Sequence, residues 1–203
     1  MISKIADRVS AFCVHNHWIP QQDKGLYQLG IDVVISTLLQ TAVILGVGVI
    51  VHNVIGAALF LIVMQNIRSS SGGYHAKTRS GCLLAMVATY LMSRYVPIWV
   101  LGHHVELAYC AGCVMFSNLV FFLWAPIKND RKVLKEGWRA IARKKSIAYL
   151  ELWIVVSIGV YVVQKFWAVQ VMTILLIISL LIIFCKIGRR KRSEEEQSSC
   201  SYA

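Results

Sequence analysis

Apolar residues gather in six long stretches, roughly Val33–Val51, Val54–Ile67, Cys82–Leu101, Val105–Ala125, Ile147–Val163 and Trp167–Cys185, separated by short polar segments. Most approach the about 20 residues that carry a helix across a hydrocarbon core. The pattern predicts an all-α, polytopic membrane protein with six transmembrane helices. The second stretch is short, since about 14 residues reach only about 21 Å against a core of about 30 Å. Either the first two stretches form a tight hairpin through His52-Asn53, or the polar segment after Ile67 sits below the lipid surface. Backbone at that depth must be satisfied by protein or water, which is a common property of sites.

Ahead of the first span, Ile2, Ile5, Val9, Phe12 and Cys13 recur at helical spacing with Lys4, Asp7, Arg8 and Ser10 between them. This predicts an amphipathic helix ending before Pro20, either lying in the membrane interface or packed on the ends of the spans. After the last span a basic cluster gives way to Glu194-Glu195-Glu196 and small polar residues, a composition that predicts disorder. The expected organisation is an amphipathic interfacial segment over 1–28, a single six-helix transmembrane domain over 29–185 and a disordered cytoplasmic tail over 186–203. No internal repeat is visible.

Composition supports the membrane reading and excludes some others. Of the 203 residues 57% are hydrophobic, and the mean hydropathy is +0.61, whereas soluble domains are about 45–50% apolar even with Gly counted. Only 15% are charged, yet the net charge is +11, and the basic residues cluster between apolar runs. Nucleic-acid binders spread Lys and Arg over a soluble domain, so no nucleic acid is expected as a partner. The six cysteines lack a secreted-scaffold spacing, which argues against a disulfide framework. The N-terminus lacks a basic region followed by an apolar run and a small-residue cleavage site, so no cleaved signal peptide is expected.

The charges also orient the spans. Lys4, Arg8 and Lys24 precede the first; Arg68, Lys77 and Arg79 follow the second. Lys128, Arg131, Lys132, Lys135, Arg139, Arg143, Lys144 and Lys145 follow the fourth, and Lys186, Arg189, Arg190, Lys191 and Arg192 follow the sixth. The alternate connections contribute only Lys165. Positive charge stays inside, so every second connection and both termini are expected to be cytoplasmic.

Chemistry concentrates in Arg68-Ser-Ser-Ser-Gly-Gly-Tyr-His-Ala-Lys-Thr-Arg-Ser-Gly-Cys82, where His75 and Cys82 lie seven residues apart. A thiol becomes a nucleophile as thiolate, and an imidazole supplies both the base and the positive neighbour that this requires. Gly72 and Gly73 can adopt backbone conformations closed to other residues, letting the chain bring the His75 ring toward Cys82. Cys82 opens the third span, where the helix dipole and backbone N–H groups favour a negative sulfur and can donate to an oxyanion. Lys77 and Arg79 add positive potential. Spacing alone is weak evidence, because a cysteine opening a membrane helix is usually a small packing residue and a loop histidine is usually solvated.

With these residues in view, the chain resembles the accessory gene regulator B family of membrane peptidases. The likeness is carried by Gly-Gly-Tyr-His-Ala ending at Ala76, by the downstream Cys82, by Arg68 ahead of the motif, by Ala125-Pro126 closing the fourth span, and by the basic loop that follows. The resemblance implies His75 and Cys82 as catalytic residues and a bacterial plasma membrane location. It also implies a substrate similar to the accessory gene regulator D propeptides, with an amphipathic leader and an acidic tail. Arg68, Gly72, Gly73, Lys132, Lys135 and Arg139 are the candidate substrate-binding residues. One departure is Ile127-Lys-Asn-Asp-Arg131, where an Asn-Lys-Pro-like run is expected, so this loop's path and peptide contacts are not carried over. Homodimerisation is allowed, and no metal or cofactor is called for.

The implied function is a cysteine endopeptidase that cuts a quorum-sensing propeptide near its C-terminal end through a thioester and passes the acyl group to a peptide cysteine, closing a thiolactone. The competing expectation is a non-catalytic transporter or peptide exporter. Other groups are read blandly. Cys110-x-x-Cys113, beside Ala108, Ala111 and Gly112, suits a small-residue packing face. His103-His104 with Glu106 suits a solvated loop, and His15, His17 and Trp18 an interfacial end. Arg94 lies deep enough in the third span to need a partner, for which Asp32 and Glu151 are the candidates.

Overall fold

In the computed structural model the described residues are 2–16, 18–71, 79–124 and 136–201, and they contain helices and turns but no strand. The helices are α1 (Ile2–His15), α2 (Lys24–Ile50), α3 (Val54–Ser71), α4 (Arg79–Gly102), α5 (Glu106–Trp124), α6 (Glu136–Val163) and α7 (Lys165–Ser201). Among the described residues five helices are long and apolar enough to cross a membrane, and α3 adds the shorter apolar run Val54–Ile67. This is an all-α polytopic membrane fold preceded by an amphipathic helix.

The amphipathic α1 ends ahead of Pro20, which fixes an extended residue (φ −67°) before the single turn Gln21–Asp23. It folds back on α2, where Asp7 pairs with Lys24 at 3.2 Å, while Val9 and Phe12 stay exposed. Packing on a neighbour and presenting an apolar face outward therefore coexist. The partner helix also explains why α2 begins nine residues before the apolar run does. Its 27 residues span about 40 Å, more than a hydrocarbon core of about 30 Å.

Between α2 and α3 the chain reverses through Val51–Asn53, with His52 in the left-handed region at φ 51°. Close approach needs glycine here. A Cβ at Gly48 would lie 2.6 Å from the Ala57 Cβ, and one at Gly56 would strike the Asn53 side chain. Tyr90 of α4, fully buried, donates its hydroxyl to the Asn53 carbonyl at 3.0 Å and fixes the turn. The tight-hairpin alternative thus holds. The shortness of the second run has a further answer, since α3 continues through polar Gln65–Ser71 to 18 residues, about 27 Å.

The bundle is built around α7. Of its most apolar window 67% is buried, against 11% to 33% for the other spans, and α3, α4, α5 and α6 all pack on it. Its buried polar side chains donate to backbone carbonyls. Thr173 and Ser179 each donate to the carbonyl four residues earlier, at 2.8 Å and 2.9 Å. Gln170 donates to the Gly56 carbonyl at 3.4 Å. The helix then runs on to Ser201, through a segment whose composition predicts no fixed structure.

Candidate functional site

Helix α3 ends at Ser71 and α4 begins at Arg79, and the two helices touch each other and both touch α2 and α7. Cys82 is the fourth residue of α4 and is half-buried. The first turn is where backbone N–H groups point out of a helix end and the dipole is positive. The helices around it bury an apolar core, since Met64 and Ile67 of α3, Met86 and Tyr90 of α4 and Ile44 of α2 belong to one buried cluster. Met86 follows Cys82 by four residues, so the half-buried thiol lies about one helical turn from packed apolar core.

The contact that the sequence reading missed comes from α2. Gln40 Nε2 donates to Cys82 Sγ at 3.5 Å. It is the last of Gln28, Asp32, Ser36 and Gln40, which succeed one another every four positions along a largely apolar helix. All four are half-buried, while Val33, Val34, Leu38 and Leu39 on the other side are exposed. An amide deep in a membrane helix is costly unless it has a partner. Four-residue spacing was the available signal, and a hydropathy window averages it away.

Other residues singled out from the sequence are distributed as follows. Arg68 lies in the last turn of α3 and Arg139 in the first turn of α6. His75, Gly72, Gly73, Lys132 and Lys135 lie outside the described residues. Arg143 of α6 donates to the Phe122 carbonyl at 2.8 Å and stacks 5.5 Å from the Phe122 ring. It thereby fastens α6 to the carbonyl end of α5, where the helix dipole favours a cation.

Arg94 lies 5.0 Å from the Phe166 ring centroid, a cation–π contact across α4 and α7. Among the described residues neither Asp32 nor Glu151 pairs with it: Asp32 belongs to the opposite end of the bundle and Glu151 is exposed. At the same end of the bundle Lys165 pairs with Glu106 at 2.8 Å. His103 and His104 are exposed, and the His103 ring contacts its own helix at the Trp99 carbonyl, 2.8 Å away.

The cysteines of α5 meet α7. Cys113 is buried, and Tyr109, one turn earlier, hydrogen-bonds Thr173 at 3.1 Å. Ala108, Ala111 and Gly112 are exposed, so packing is through the cysteines, and the small residues beside them point outward. That corrects the expectation of a shared small-residue face. None of Cys13, Cys82, Cys110, Cys113 and Cys185 is in a disulfide.

A family model described as accessory gene regulator B matches residues 4–188 of this chain. No curated protein matches it, and no solved structure does.

Proposed function

The chain belongs to the accessory gene regulator B family, and from that premise we propose that it is a membrane-embedded cysteine endopeptidase that cyclises the peptide it cuts. Family membership and the apolar helices make it a membrane protein of the accessory gene regulator quorum-sensing system. The observation that carries the chemical reading is the setting of Cys82. Its sulfur lies at the first turn of a membrane helix, half-buried, with an amide N–H directed at it. A site recessed from bulk water lets a thioester survive long enough for a second nucleophile to reach it.

In this mechanism His75 takes the Cys82 proton and the thiolate adds to a propeptide carbonyl near the C-terminal end. Collapse of the tetrahedral adduct breaks the C–N bond, and His75 returns the proton to the departing amine. The acyl group is now a thioester on Cys82. A cysteine thiol in the bound peptide then loses its proton to His75 and attacks the thioester. A thiolactone forms and the Cys82 thiolate is released to recover that proton. Exchange of one thioester for another conserves the activation of the acyl group, whereas water would discard it.

Recognition rests on charge. The substrate is a precursor of the accessory gene regulator D type, and its acidic tail suits the basic segments containing Arg68, Lys132, Lys135 and Arg139, with both termini and these segments on the cytoplasmic side. Gly72 and Gly73 supply the backbone freedom for His75 to approach Cys82. Co-expression with such a precursor, followed by mass spectrometry, tests the proposal. The expected product is one water lighter than the linear fragment and contains the ring cysteine. A linear fragment alone would reduce the enzyme to a plain protease, and uncut precursor would favour the transporter.

A further inference from the structure

We propose that Gln40 is a catalytic residue: its side-chain amide donates a hydrogen bond to the oxyanion formed when Cys82 attacks the propeptide. This rests on Cys82 being the nucleophile, and it adds to that reading a donor on a different helix.

The argument begins with what the amide costs. Gln40 lies sixteen residues into α2, about 24 Å from its start, between lipid-facing Leu38 and Leu39 and buried Ile44. A leucine at a half-buried position would pack there without a polar group to satisfy. The partner that Gln40 has is the Cys82 sulfur, 3.5 Å away, a long contact and a weak acceptor in the neutral thiol. The energetic return is small in the resting state, so the amide is better explained by the charge that appears next.

Geometry supports this. When Sγ bonds to the carbonyl carbon, the oxygen on that carbon lies within two bonds of the sulfur. A donor already 3.5 Å from Sγ needs only a small rotation to come within the about 2.7–3.1 Å that an oxyanion donor requires. With a negative charge nearby the amide must present its N–H groups, and its carbonyl oxygen would be repelled. The second donor is at hand in the first-turn N–H groups of α4, so the side chain and the helix end converge from two elements.

Both elements are tied to one hairpin, and fixed placement is what makes such donors effective. α2 is locked to α3 through Gly48 and Ala57, and α4 is tied to the same hairpin by Tyr90 and Asn53. Donors that are aimed before the reaction need no reorganisation during it, and a low-dielectric surrounding strengthens them.

Oxyanion donation and thiolate positioning can be separated, because alkylation of a thiolate passes through no oxyanion. The experiment compares wild type with Gln40→Met, near in shape but without a donor, and with Gln40→Glu, in which the amide donor is replaced by a carboxylate. Two rates are read in detergent: acylation of Cys82 by a labelled precursor peptide of the accessory gene regulator D type in single turnover, and alkylation of Cys82 by iodoacetamide. Acylation is expected to fall about 10²- to 10³-fold in both variants with substrate affinity little changed. Alkylation of Gln40→Met should stay within about fivefold of wild type, the scale of one weak hydrogen bond. Acylation at the wild-type rate in both variants would overturn the assignment, as would acylation and alkylation falling in parallel in Gln40→Met. Cys82→Ala runs alongside. If it is inactive while the Gln40 variants acylate normally, only the role of Gln40 is lost; if it still cleaves precursor, the peptidase reading fails as well.

Discussion

Cys82 and the Cys110–Cys113 pair put the same side chain into two parts of one membrane bundle. Cys82 opens a helix at a polar end, half-buried, with an amide donor from a second helix on its sulfur. Cys110 and Cys113 sit inside α5, turned toward the central α7, with Cys113 buried beside the Tyr109–Thr173 hydrogen bond. A thiolate at the first site meets a helix dipole and an N–H donor, whereas at the second it would meet apolar packing. The difference teaches that the support for a thiolate comes from the end of a helix and its neighbours. A Cys-x-x-Cys spacing carries no such support here.

The comparison predicts its largest effect at the dyad. Cys82→Ala should lower precursor cleavage by at least about 10³-fold, and Cys82→Ser nearly as much because an alkoxide is inaccessible near neutral pH. Loss of the general base in His75→Ala should cost about 10²- to 10⁴-fold. Since nucleophile and base act as a unit, the double variant should be scarcely worse than either single one. Cys110→Ala and Cys113→Ala should retain cleavage. Quantifying precursor and product by mass spectrometry, with membrane insertion checked for each variant, decides the matter. Activity that follows Cys113 instead of Cys82 would invert the comparison.

A middle-sized effect belongs to recognition. Replacing Lys132, Lys135 and Arg139 together with Gln should weaken precursor binding roughly tenfold at low salt, with less effect at high salt as screening removes the attraction. Turnover of bound precursor should change little. Arg143→Gln is the contrasting case, because this residue holds the Phe122 carbonyl. It should lower stability in detergent and leave affinity alone. Equal affinity losses from both substitutions would mean that Arg143 also faces the peptide.

The smallest effect tests the frame that supports the site. Tyr90→Phe keeps the ring packed 5.5 Å from Phe60 but leaves the Asn53 carbonyl without its hydroxyl donor. It should cost about 1 kcal/mol of stability, a typical hydrogen bond. Thermal denaturation of the two proteins in the same detergent measures this. Unchanged stability would show that the hairpin does not depend on that bond.

Much of this architecture was legible in the sequence because lipid enforces simple rules. The six apolar runs and the amphipathic N-terminal segment all correspond to helices in the structure. Where the reading fell short, packing was the reason. The run Trp167–Cys185 is so apolar that its mean hydropathy does not tell a helix facing lipid from one at the bundle's centre, and the few polar residues that mark the buried side, Gln170, Thr173 and Ser179, are averaged away. The early start of α2 was hidden by Lys24, Gln28 and Asp32, which break a hydropathy run yet sit easily in a helix covered by α1. Of the candidate site, the half around Cys82 follows from its place at a helix start. Gln40 went unnoticed because a lone amide in an apolar run carries meaning only once its register against Gln28, Asp32 and Ser36 is drawn.

The most direct test of the central claim is to catch the acyl group on its residue. A precursor whose ring cysteine is replaced by Ala can acylate the enzyme but cannot leave by cyclising. Intact-mass measurement of the purified protein after incubation should therefore find it heavier by the N-terminal portion of the peptide. Fragmentation should map the adduct to Cys82, and hydroxylamine should release it, as expected of a thioester. Continued cleavage with no adduct, or an adduct on any other residue, would contradict the account.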